Sequence, residues 1–78
     1  MSLGSNDRRR ALTGQVVRVT TVGKEGLYDV GIPTRSEAEL AVAKYLQTSD
    51  HLSIIAIERL SASAVKALGL GPGEIRLR

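Results

Sequence analysis

The side chains in this sequence best suited to chemistry are arginines. Arg8, Arg9 and Arg10 stand in a row, Arg76 and Arg78 alternate with Ile75 and Leu77, and Arg18 and Arg59 sit in apolar surroundings. Guanidinium groups so placed can neutralise phosphates without reading bases. Strand alternation sends Arg18, Arg76 and Arg78 outward, because Val17, Val19, Ile75 and Leu77 must go in, and places Arg59 on the same exposed sheet face. All seven are candidate contacts for nucleic acid or for a protein partner. The competing reading is a mixed-charge strand surface that blocks edge aggregation, since Asp29, Glu58 and Glu74 are interspersed.

Other chemistry finds little support. His51 is the only histidine, and Ser49, Asp50 and Ser53 surround it. A Ser-His-Asp set needs three side chains converging on one atom, and near neighbours at a helix-to-strand junction point apart. An enzyme would need a site shared across an oligomer interface, with His51, Asp50 and Asp29 as the residues to test. One His, no Cys and scattered carboxylates give no ligand spacing for a metal. Glu37 and Glu39 lie two apart on an expected helix and cannot share an ion. "GLGPGE" follows a helix and precedes a strand, the reverse of a phosphate loop, and Pro72 lacks a donor. "TVGKEG" reads as a hairpin turn with no following helix for Lys24 to serve. No catalytic, cofactor-binding or metal residue is therefore expected, nor a cofactor.

The elements that position the arginines come from a chain of 78 residues, the size of one domain. No apolar run approaches the roughly 20 residues of a membrane span. "MSLGSNDRRRALTG" has no apolar segment of a secretory signal. With no cysteine to staple it, the chain fits a reducing, cytoplasmic setting. Two Tyr, no Phe and no Trp leave a core of Val, Ile, Leu and Ala, thin enough that a homodimer or larger assembly would add burial. Setting aside Asp7 and Arg8 to Arg10, the eleven basic and eight acidic residues become eight and seven. The basic character thus belongs to residues 1–10, which read as a flexible tail, and 11–78 reads as one nearly neutral domain.

Within that domain, "GQVVRVTTV" (14–22) and "LYDVGIP" (27–33) read as a hairpin joined by the turn "GKEG". Gly31 inside the second strand implies a bulge or a close backbone approach. "TRSEAELAVAKYLQTSD" (34–50) is a helix, with Thr34–Glu37 and Ser36–Glu39 both fitting a capping box and a stripe of Ala38, Ala41, Val42, Tyr45 and Leu46. The continuous apolar centre of "HLSIIAIERL" (51–60), Ile54 to Ile57, is what an interior strand shows. "SASAVKALG" is a short helix capped by Ser61 or Ser63 and ended by Gly69, with Ala64, Val65 and Leu68 buried. "GPGE" (71–74) meets the needs of a type II turn, and "EIRLR" is the last strand.

The expected fold is an α+β two-layer sandwich in β-β-α-β-α-β order: one four-stranded mixed sheet, both helices on one face, and Val17, Ile55 and Leu68 meeting in one interior. "YDVGIPTRSEAELAVAKYL" (28–46) resembles the strand-then-helix half of a peptidoglycan-binding SPOR repeat over 19 of 78 residues. The usual first half is missing and the element order differs, so no functional residue carries over. The expected function is a small non-enzymatic binding or assembly module. It would act through the open sheet face or an edge strand, on a protein partner or a second copy of itself. The alternative is a nucleic-acid-associated protein using the arm and the sheet arginines.

Overall fold

The computed structural model describes residues 12–47 and 51–78, with backbone alone for His51 and Leu52. The expected tail, with Arg8, Arg9 and Arg10, lies outside the described residues, as do Ser49 and Asp50. Six elements follow in order: β1 (Gly14–Thr21), β2 (Lys24–Val30), α1 (Arg35–Leu46), β3 (His51–Leu60), α2 (Ala62–Leu68) and β4 (Ile75–Leu77). The strands form one sheet in the order β3-β1-β2-β4, and every neighbouring pair is antiparallel. The chain is thus α+β, and the sheet is antiparallel rather than mixed.

β1 is the strand on which the rest is built. It pairs with β2 from Gln15↔Val30 to Thr21↔Lys24 and with β3 from Gly14↔Leu60 to Thr21↔His51. The hairpin loop is only Val22–Gly23, so Lys24 and Glu25, expected in the turn, open the second strand. β-Branched valines suit a pleated strand buried on both faces. Val17 and Val19 point to one face, where they meet Val30, Ala56 and, from α1, Ala38 and Val42. Val16 points to the other and meets Leu60, Leu70 and, from α2, Val65. The helices therefore cover opposite faces, not one, and two small cores replace the single expected interior. Ile55 and Leu68 belong to neither buried set.

β3 is an edge strand, not the interior one that its apolar run implied. Both faces of the sheet carry a helix, so an edge strand too is apolar on both sides, and a bulge lengthens the run. Glu58 opposes Val16 while Ala56 opposes Val17, so Ile57 is an extra residue and the alternation of faces slips. Ala56 is buried, and its neighbours Ile55 and Ile57 stay 39% and 43% exposed.

Helix α1 starts after Thr34, in extended backbone, and stops at Gln47, which takes a left-handed turn. Glu37 in its first turn and Lys44 in its last suit the helix dipole. The expected capping box is absent, because the Thr34 side chain makes no cap hydrogen bond. Helix α2 is capped by the Ser61 hydroxyl, which accepts from the Ala64 N–H at 3.1 Å, and ends at Gly69 in the left-handed region. Of its expected apolar side only Val65 is buried.

The turn over 71–74 forms as expected: Gly73 has φ 75° and the Glu74 N–H donates to the Gly71 carbonyl at 3.1 Å. It is locked to β2's end through Gly31. The Gly31 N–H donates to the Glu74 carbonyl, the Gly73 N–H donates to the Gly31 carbonyl, both at 2.8 Å, and a Cβ on Gly31 would collide with the Gly71 carbonyl. The close approach that a glycine within the run implied is therefore to this turn. Gly31→Ala should cost about 1–3 kcal/mol by overpacking, measured by urea unfolding. Gly26→Ala, where a Cβ meets only ordinary contacts, should lie within about 0.5 kcal/mol of the parent or above it.

Candidate functional site

The two edges of the sheet are finished in different ways. On β3, Ala56 turns its backbone groups away from β1. Its N–H donates to Glu39 Oε2 at 2.7 Å, and its carbonyl accepts from Arg35 Nη2 at 2.8 Å. Arg35 and Glu39 are one turn apart on α1, so the helix lays a donor and an acceptor along that edge. Glu39, expected at a capping box, satisfies the strand instead. Neither residue was singled out for this task, although their i, i+4 spacing ahead of an apolar strand is the signal that would have found it.

On β4, the Arg78 N–H donates to the Leu27 carbonyl and the Glu74 carbonyl accepts from Gly31, both at 2.8 Å. Backbone groups alternate along a strand, so those of Ile75 and Leu77 face outward. No other strand pairs with this edge among the described residues. Leu77 shares a face with Ile75, as alternation required, but lies past the cover of α1 and is 63% exposed. With Tyr28, Gly26 and Val19 it lines a groove of about 270 Å³ bordered by Lys24 and Glu25. Tyr28 also packs edge-on against Tyr45 of α1, ring centroids 6.3 Å apart. The only two aromatic residues of the chain therefore meet beside the open edge.

The arginines are distributed otherwise than expected. Arg18, Arg76 and Arg78 share the α2 face, and Arg59 lies on the α1 face, opposite Gln15. Arg59 borders a cleft of about 240 Å³ with Arg35, Gln15, Ile57 and Glu58, and has no ion pair among the described residues. Of the other three, Arg76 and Arg78 are hydrogen-bonded within the protein, whereas Arg18 makes only a longer ion pair, and its Nε has no hydrogen-bond partner among the described residues. Arg18 Nε lies 3.5 Å from Glu25 Oε2. Arg76 pairs with Glu74 at 2.7 Å and also donates to the carbonyls of Leu68 and Gly69. Arg78 Nη2 donates to Asp29 Oδ1 at 2.7 Å. Asp29, expected on an open surface, is 3% exposed. Among the described residues no three metal-ligating side chains gather, and no helix is long and apolar enough to cross a membrane.

No protein-family model matches the chain, no curated protein matches it, and no solved structure matches it. The local likeness over 28–46 therefore assigns no family.

Glu74 joins the turn to the edge. Its Oε1 accepts the Gly71 N–H at 2.7 Å and its Oε2 accepts from Arg76. The backbone hydrogen bond first, then the Arg76 guanidinium, hold its carboxyl below the ordinary glutamate value. The stabilisation is complete above that ordinary value and is lost as pH falls through the lowered one. Glu74→Gln should remove this part of the acid sensitivity, read as a flatter fall of stability with decreasing pH. The Asp29 pair tests burial directly. Arg78→Ala leaves an unpaired buried carboxylate and should cost about 1–3 kcal/mol. Adding Asp29→Asn should recover part of that loss in the double variant, measured by denaturant unfolding.

Proposed function

We propose that this chain is a small non-enzymatic binding module that assembles with itself through its sheet. One observation carries the reading: several large apolar side chains lie exposed around cores whose fully buried side chains are no larger than valine. The largest fully buried side chains are the valines Val16, Val17, Val30 and Val42, while Tyr45, Ile55, Ile57 and Leu77 stay exposed. Burying a large aliphatic or aromatic side chain is worth about 1.5–3 kcal/mol. A chain that buries Leu60 and Leu70 but leaves these other large apolar residues exposed gains stability by covering them with another surface. Tyr28, Tyr45 and Leu77 lie together, and tyrosines in a rigid setting are well suited to anchor such a contact.

Nucleic-acid association through the basic arm is the other reading. The internal partners of Arg18, Arg76 and Arg78 leave it resting on Arg8, Arg9, Arg10 and Arg59.

The reading is tested by light-scattering mass of the full chain from about 1 to 500 μM, a range suited to a weak interface. A mass rising from monomer to dimer is expected, unaffected by single-stranded DNA. A constant monomer mass ends the self-assembly reading. Retention on DNA at low salt that falls steeply as salt rises, and is lost when Arg8, Arg9 and Arg10 are replaced by Ala, would favour the nucleic-acid reading.

A further inference from the structure

Resting on the assembly reading, we infer that β4 is the dimer seam: two copies pair antiparallel through Ile75–Leu77 about a two-fold axis at Arg76, giving one continuous eight-stranded sheet. Three observations select this edge. First, the opposite edge is interrupted at its middle, because Arg35 and Glu39 hold the outward backbone groups of Ala56. A second strand there would have to displace both. Second, the outward N–H and carbonyl of Ile75 and of Leu77 match each other across a two-fold axis. Ile75 of one copy and Leu77 of the other exchange two hydrogen bonds, and symmetry doubles them. Third, Leu77 is the most exposed apolar side chain among the described residues of the strands and sits on the very edge concerned. In the paired sheet it lies beside the second copy's Ile75, on the face that carries Tyr28.

Charge fixes the register. With Arg76 on the axis, Glu74 of each copy lies opposite Arg78 of the other, giving each an oppositely charged neighbour beyond its internal partner, Arg76 for Glu74 and Asp29 for Arg78. The two Arg76 side chains then face one another, but each is bonded to its own Glu74 and to the carbonyls of Leu68 and Gly69, so its charge is already compensated. Moving the register to set Leu77 against Leu77 would place Arg76 against Arg78 twice. Moving it the other way would draw in the turn, where Pro72 has no N–H and the Gly73 N–H is taken by Gly31. A three-residue strand gives a small interface, so the dimer is weak, with Kd on the order of micromolar.

The absence of cysteine allows a test of the register in the full chain. Arg76→Cys puts two thiols on residues directly opposed without exchanged hydrogen bonds, with Cα atoms about 4.5 Å apart, within disulfide reach. Leu77→Cys puts them two residues out of register, beyond the roughly 7 Å limit. Under mild oxidation at low micromolar concentration, Arg76→Cys should give covalent dimer and Leu77→Cys little. Independently, Leu77→Pro deletes an outward N–H while leaving the Arg78 N–H that pairs with β2. It should keep the circular dichroism of the parent and weaken dimerisation at least tenfold. If the parent dimerises but Leu77→Cys links as readily as Arg76→Cys, or Leu77→Pro dimerises unchanged, the seam lies elsewhere and only the assembly reading stands. If the parent is monomeric throughout, both fail.

Discussion

The structure depends on a single constraint, that β1 is buried on both faces and paired on both sides. Val16 must satisfy one core, and Val17 and Val19 the other. A strand so placed cannot carry large side chains on either face without pushing a helix away, and valine is the residue that fits a twice-covered pleat. Each helix then needs only a small apolar contact: Ala38 and Val42 from α1, Val65 from α2. Leu60 and Leu70 are buried beside Val16, and the larger Tyr45, Ile55, Ile57 and Leu77 side chains are left exposed. The outer apolar surface is thus a consequence of how the centre is packed.

Much of this was legible from residue pattern. The first hairpin, both helices, the Ser61 cap, the Gly69 stop and the turn at 71–74 all follow from local rules, because each is decided by neighbours in sequence. Gly31 was readable too, as a place where no Cβ fits. What local pattern misjudged was the side on which things lie. An alternation of Val17 and Val19 against Arg18 suggested one covered face, but Val16, one residue earlier, needs cover on the other. The apolar run from Ile54 to Ile57 looked like an interior strand because a bulge at Ile57 erases the period-two pattern. Asp29 looked like a surface charge, and its partner Arg78 is 49 residues away in sequence. No spacing rule reaches that far.

The same distinction runs through the candidate site. Outward arginines on strands invite a phosphate reading, yet Arg76 and Arg78 are hydrogen-bonded to carboxylates within the protein and would give up those bonds to take a ligand, and Arg18 stands beside Glu25. The informative feature is instead the unequal treatment of the edges. One is covered by a matched pair of helix side chains; the other is short and has a leucine standing in water. Natural sheets blunt their edges by several devices: at β3 the helix side chains Arg35 and Glu39 hold the backbone of Ala56, whereas β4 has only its shortness and its charges.

Amide hydrogen exchange at single-residue resolution, at low and at high protein concentration, tests this account most directly. The Ala56 amide, bonded to Glu39, should exchange slowly and equally at both concentrations. The outward Leu77 amide should exchange fast in dilute solution and become protected as concentration rises. A fast Ala56 amide, or a Leu77 amide indifferent to concentration, would contradict it.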